Sequence, residues 1–263
     1  ACSLFSDLEP FFSNISPSFP MPLAQSEGFV LKTFNVGEQD KIVVFFSKDK
    51  GLFKGIAKGA RKFGNRFGSS LEPMSHVRAF YYEKESKDLV VVNNCDLIES
   101  FFEVQKDLET AFHLSYFSEL IEQFFPLWTK DDTLFRLLLS ILKALKNGED
   151  VNFLGIYFEA WLLKISGILP RLNQCKKCKK EITDSGWLSL KKDGALCNRC
   201  SPQKKEEIKP ELISLLKWIK KNPPSERKTL TLSPQQIRDI RKALQTIIVF
   251  HIEKEPKSLR YLK

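Results

Sequence analysis

From Phe29 onward the chain alternates short apolar runs with turn signals. Gly28-Phe-Val-Leu-Lys-Thr-Phe, Lys41-Ile-Val-Val-Phe-Phe-Ser and Gly51-Leu-Phe-Lys-Gly-Ile-Ala-Lys-Gly are separated at Asn35-Val-Gly37 and Lys48-Asp-Lys-Gly51. Two more runs lie around His76–Glu83 and Asp88–Asn94. Short strands at this spacing predict a small closed or nearly closed barrel. The five-stranded oligonucleotide-binding barrel (OB-fold) is the commonest object of that size. Lys32, Lys41, Lys54 and Lys58 sit beside apolar neighbours on these strands, as alternation requires.

After about Ile98 the period changes to that of a helix. Val104–Phe125 places Leu108, Phe112, Tyr116, Leu120 and Phe124 on one face and ends at Pro126. Thr133–Lys146 forms a second helix, started by Asp132/Thr133 and stopped by Gly148. Val151–Ile168 forms a third, rich in aromatics and stopped by Gly167 and Pro170. Pro210–Lys221 and Ser233–Glu253 complete the set, the last with a Ser233 cap and Pro234 in the first turn. The expected fold is therefore α+β and multidomain. An N-terminal five-stranded OB-fold β-barrel over 22–100 precedes an all-α helical domain over 101–170 and 203–263, and a four-cysteine zinc element over 171–202 interrupts the helices.

That element is marked by Cys175-Lys-Lys-Cys178 and Cys197-Asn-Arg-Cys200, with 18 residues between the pairs. A two-residue spacer forms a tight knuckle, so each pair can offer two thiolates to one tetrahedral ion. The spacing is that of a zinc site. The intervening loop has only a short apolar core (Ile182, Trp187, Leu188, Leu190), so one structural Zn2+ would stabilise it. Two disulfides, a labile redox pair and a rubredoxin-like iron site are the alternatives. Four thiolates close the coordination shell, which argues against a catalytic ion. Cys2 and Cys95 follow no pairing pattern, which fits a reducing compartment.

The first 20 residues lack Lys and Arg and have no continuous apolar core, so they do not read as a signal peptide. Translation is expected to begin at Met21, making residues 1–21 an upstream extension; a disordered arm is the alternative. No apolar run is long enough to predict a membrane-spanning helix.

The formal net charge is +9, which points to a polyanionic partner, nucleic acid or an anionic membrane surface, with a solvated basic surface as the alternative. The charge concentrates in Lys54–Ser70, which carries Lys54, Lys58, Arg61, Lys62 and Arg66 among small residues. Small residues let a phosphate backbone approach the main chain, and Phe63 and Phe67 offer faces on which bases could stack. The competing reading is a basic loop with one Phe tucked into the core. Gly59–Gly64 resembles a phosphate loop, but Asn65-Arg66 stands where Lys-Ser/Thr is needed. His251-Ile-Glu253 resembles half of a deaminase signature, but both cysteine pairs precede it. With three histidines and no triad or carboxylate cluster, the chain does not read as an enzyme. The segment Arg171–Lys205 has ten Lys/Arg against three acids, so it is a second basic surface or a solvated cap.

Taken in order, these pieces resemble the RecO family of bacterial recombination mediators. The likeness lies in Gly28-Phe-Val-Leu-Lys32 with Gly37–Ile42, in Gly51–Arg61 with Arg66 and Leu71-Glu-Pro73, in the paired Cys-x-x-Cys insertion, and in Lys257-Ser258-Leu-Arg260-Tyr-Leu. It departs at Gly64-Asn65, where the family often has Lys-Ser. The resemblance implies a DNA repair and recombination protein of the bacterial cytoplasm, associated with the nucleoid. Such a protein binds single- and double-stranded DNA, anneals strands, binds RecR and the tail of the single-stranded-DNA-binding protein, and helps load RecA. By position, Lys32, Lys41, Lys58, Arg61 and Arg66 would contact phosphates and the four cysteines would hold zinc. Arg136 is the expected cation of the tail site. The rival expectation is an RNA-binding protein built from a barrel and a zinc ribbon.

Overall fold

The computed structural model describes residues 23–83 and 89–262. The segment 1–22, with Met21, and the start of the expected fifth strand at Asp88 lie outside the described residues. Strands β1 (Leu23–Val36), β2 (Asp40–Ser47), β3 (Gly51–Ala57), β4 (His76–Tyr82) and β5 (Val90–Glu99) form one sheet. It runs in the order β1-β2-β3-β5-β4 and closes into a barrel, because β1 pairs with both β2 and β4. Strands β3 and β5 close parallel; the other pairs are antiparallel. The first strand begins six residues before Phe29, where the apolar run starts, because its early part is polar and pairs only with β4.

The β1–β2 ribbon is buried on both faces. Val30, Val43 and Phe45 point into the barrel with Phe53, Tyr81 and Val92. Phe29, Leu31, Val44 and Phe46 point outward into the core of the helices. A bulge between Val30 and Lys32 adds Leu31 to the outward set. The Leu31 carbonyl, freed from the ladder, accepts a hydrogen bond from Ser118 Oγ at 3.1 Å.

The helices are α1 (Leu108–Phe124), α2 (Asp132–Lys146), α3 (Val151–Ile165), α4 (Pro210–Trp218) and α5 (Pro234–Ile252). Asp107, Asp131 and Asp150 cap the first three, each accepting from a backbone N–H at 2.8 Å. Ser233 and Gln236 form a reciprocal capping box on α5. Short strands β6 (Gly186–Leu188), β7 (Ala195–Leu196) and β8 (Glu207–Ile208) make a small sheet between α3 and α4. The first expected helix is shorter than its pattern because Glu103–Lys106 is a separate 3-10 turn.

Barrel and helices lock through several contacts. The Phe29 ring lies 4.8 Å from His76 and 5.1 Å from Phe135 of α2. Leu52 O accepts from Trp128 N at 2.7 Å. Gly51 allows this close passage: it has φ +71°, and a Cβ there would collide with the Thr129 carbonyl.

Helix α3 runs through the middle of the helical core and carries a buried polar network. Arg241 of α5 donates to Asn152 Oδ1 at 3.0 Å and lies 2.7 Å from His113 Nε2. Gly155 leaves room for it, since a Cβ would collide with Arg241 Nη2. Glu159 is fully buried and accepts from Gln245 Nε2 at 3.1 Å. Burial raises its carboxyl to about 7, although Arg241, Gln245 and Tyr116 work the other way. Burial, and next the Arg241 charge, push His113 down to about 4.

Glu159 sets a testable pH dependence. Unfolded, it titrates near 4.5, and folded at about 7. Between these values the folded state holds a proton that the unfolded state has lost, so this contribution to stability falls as pH rises. Glu159→Gln removes the titration. The stability of the variant relative to wild type should therefore rise across that window, by up to about 3 kcal/mol at about 1.4 kcal/mol per pH unit. Urea denaturation at pH values spanning the window measures it; a pH-independent difference would mean that Glu159 titrates alike in both states.

Candidate nucleic-acid interface and metal centre

The residues of the basic stretch fall on one end of the barrel. Lys58 ends the β3 hairpin, and the register Lys41↔Ala57 brings Lys41 beside it. The loop after β3 is tied to the β1–β2 turn. Gly59 N donates to Asp40 Oδ1 at 2.7 Å, Arg61 N donates to Gln39 O at 2.9 Å, and Arg61 Nη1 donates to Gly37 O at 2.9 Å. Further on, Arg66 Nε donates to Asn93 O of β5 at 2.5 Å, and its guanidinium lies 4.7 Å from the Phe67 ring centre. Both arginines are thus positioned by one donor while their remaining N–H groups stay available, since a guanidinium carries five. Lys58, Arg61, Lys62 and Arg66 are exposed, and Lys54 is half-buried on the strand.

The two phenylalanines part company. Phe63 is fully exposed, while Phe67 is 3 % exposed and packs in the barrel core. Only Phe63 offers a free face. Lys32, expected with the phosphate-binding set, lies instead at the barrel–helix joint, where it pairs with Glu122 of α1 and sits over Phe34.

The ending Lys257–Tyr261 is a 3-10 turn clasped to α1. The Glu119 carboxylate accepts from the backbone N–H groups of Lys257 and Ser258, both at 2.8 Å, and from the Ser258 hydroxyl. Burial opposes ionisation of Glu119, but these donors outweigh it and lower its carboxyl below the usual value. Tyr261 stacks on Phe112 at 4.9 Å. One Glu among three in an amphipathic helix gives no sequence signal for this clasp.

The four cysteines converge. Cys175, Cys178, Cys197 and Cys200 have their sulfurs within 4.8 Å of one another and are free thiols. The Sγ atoms of Cys178 and Cys197 are 3.8 Å apart. The edge of a tetrahedron with metal–sulfur bonds of about 2.3 Å is about 3.8 Å, so the donor set fits one tetrahedral ion. Each knuckle closes on itself: Cys175 O accepts from Lys179 N at 2.9 Å, and Cys197 O from Cys200 N at 2.9 Å. Lys179 sits at φ +62° to complete the first turn. Burial opposes a Cys175 thiolate, but N–H groups of Cys178, Cys197 and Lys177 outweigh it and bring the thiol to about 6. Cys200 is pushed up to about 12 by hydrogen bonding with the Cys197 and Cys178 sulfurs. The element is not isolated: Leu172, Cys175, Ile182, Leu188 and Ala195 join the helical core. Leu190, expected in its apolar centre, is exposed.

Arg136 on α2 lines a cleft of about 300 Å³ with Leu137, Tyr157, Trp161, Pro223 and Pro224. It forms an ion pair with Asp132 at 3.1 Å, one helical turn away. No helix among the described residues is long and apolar enough to cross a membrane.

Two family models match the chain: "Recombination protein O N terminal" over residues 21–101 and "Recombination protein O C terminal" over residues 105–260. A DNA repair protein RecO from Koribacter versatilis is 31% identical over 233 residues, covering 89% of this chain and 95% of that protein. Another, from Clostridium acetobutylicum, is 31% identical over 245 residues, covering 92% and 98%. A third, from Caldicellulosiruptor saccharolyticus, is 26% identical over 243 residues, covering 92% and 99%.

The metal centre makes a local prediction. Metal supplied to the protein should be held at one equivalent, and Cys197→Ser should abolish that uptake and expose amides in 172–208 to hydrogen exchange, while barrel amides remain protected. Metal analysis of the purified protein and peptide-resolved exchange check it; retention of a full equivalent of metal by the variant would contradict four-thiolate coordination.

Proposed function

The chain belongs to the recombination protein O family, and from that premise we propose that it is a DNA repair and recombination mediator. It binds single- and double-stranded DNA, anneals complementary strands and, with RecR, helps load RecA onto gaps coated by single-stranded-DNA-binding protein. The observation that carries this reading is the barrel-end cluster: Lys58, Arg61, Lys62 and Arg66 exposed around a solvent-facing Phe63. The strand order and closure support an oligonucleotide-binding barrel. We read 22–100 as that domain, 101–170 and 203–263 as the helical domain, and 171–202 as the zinc insertion, with β8 extending its sheet.

The mechanism is electrostatic. Cations neutralise phosphates, the repulsion opposing pairing falls, and base pairing itself supplies the free energy. Phosphate contacts carry little sequence information, as a general mediator requires. Phe63 can hold a base by stacking, worth about 1–3 kcal/mol per base. Lys41 and Lys54 extend the cationic track along the strands, whereas Lys32 must first give up Glu122 to join it.

The ion is zinc, which favours four thiolates in a tetrahedron, and its role is structural. The Arg136 cleft suits a peptide tail that is acidic and ends in an apolar residue: the apolar walls take the terminus, and Arg136 can exchange Asp132 for a peptide carboxylate.

Annealing of two complementary DNA oligonucleotides without nucleotide tests the proposal. Wild type should accelerate it. Lys58→Ala/Lys62→Ala removes two charges without touching a structural hydrogen bond and should make the log–log salt slope shallower by about 1.4, at about 0.7 per phosphate on single strands. Phe63→Ala should weaken single-strand binding by about 1–3 kcal/mol with the slope unchanged. No acceleration by metal-loaded wild type, or a preference for RNA, would overturn the mediator reading.

A further inference from the structure

A second cationic surface lies far along the chain from the barrel loop. A cleft of about 780 Å³ opens between the end of α3, the first knuckle of the metal element and α4. Its rim carries Lys164, Arg171, Lys179, Lys217 and Lys220, against one carboxylate, Glu181. Its floor is aliphatic, with Leu172 and Ile213 buried. These cations come from separate segments that only the fold brings together.

None of the five forms an ion pair among the described residues. Lys164 lies 3.7 Å from the Trp161 ring centre. Burial, and then the nearby Lys220 charge, lower its ammonium below the usual value. On the other flank of the same element Lys176 pairs with Asp193 and Lys192 with Glu206.

We propose that this cleft is a second nucleic-acid site, which grips the sugar–phosphate backbone of one DNA strand and leaves its bases facing outward. The inference rests on the mediator reading and deepens it. Like charges held together without counter-ions raise the local potential and favour a polyanion. The cleft lining contains no aromatic side chain, so stacking does not sequester base faces as Phe63 can on the barrel. A strand held by phosphates alone presents its pairing edges to a strand held on the barrel. The metal then acts indirectly, because it fixes the knuckle that forms one wall of the cleft.

The test uses full-length, metal-loaded protein and the variant Arg171→Ala/Lys217→Ala/Lys220→Ala, which spares the knuckle residues. Titration with a short fluorescent single strand at low salt should show two strands per wild-type chain. The variant should keep metal and the barrel-bound strand, lose the second strand, and lose annealing. If each removed charge contacts one phosphate, the salt slope of the second step in wild type includes about 2 units from these three residues, at about 0.7 per phosphate. Arg171→Lys/Lys217→Arg/Lys220→Arg should restore both activities, because charge rather than shape is required.

Unchanged stoichiometry and annealing in the alanine variant would overturn the cleft assignment and leave the barrel reading intact. Loss of affinity for an acidic peptide with no loss of DNA binding would overturn it in favour of a peptide dock. If wild type binds no strand at either site, the mediator reading itself falls.

Discussion

The structure depends on one ribbon being buried twice. Strands β1 and β2 send Val30, Val43 and Phe45 into the barrel and Phe29, Leu31, Val44 and Phe46 into the helices. A one-residue slip in such a strand would exchange the two apolar sets, so that neither fits the core it meets. The bulge at Leu31 fits the two faces together, and Ser118 satisfies the carbonyl that the bulge releases. Barrel and helices are in this way two sides of one wall.

That wall restricts where a polyanion can bind. The outer face of β1 is covered by α1 and α2, and Lys32 on that face is neutralised by Glu122. The barrel end formed by the β1–β2 turn and the loop after β3 stays uncovered, and there Arg61 and Arg66 are tied to backbone carbonyls rather than to acids. An arginine held by a carbonyl keeps its full charge; a lysine held by a carboxylate has spent it. The positive charge of the chain is thus divided between residues that join elements and residues that face solvent unpaired.

The metal element illustrates shared support. Its strands are two or three residues long, too short for independent stability. The four-cysteine cluster closes one side, and contacts of Leu172, Ile182, Leu188 and Ile208 with the helical core hold the other. It is a projection of the helical core as much as a separate module.

Much of this was legible in the residues. Short apolar runs between turn signals mark the strands, period-three-and-four runs mark the helices, Ser233-Pro234 marks the start of α5, and the paired Cys-x-x-Cys motifs mark the four sulfurs that converge, because each is a local signal fixed by backbone geometry. The cationic loop was visible as composition. Residues far apart in sequence were not legible. Nothing local distinguishes Phe63 from Phe67, yet one is exposed and the other is core. Nothing local assigns Lys32 to Glu122, Glu119 to the tail at Lys257 and Ser258, or Arg241 to His113. The cleft joining Lys164, Arg171, Lys179, Lys217 and Lys220 exists only once α3, the knuckle and α4 are packed. Sequence determined which groups are charged, apolar or able to ligate a metal, because that is intrinsic to each side chain. Tertiary structure decided which charges are cancelled and which remain, because cancellation depends on distances of a few ångströms between segments that the chain itself keeps apart.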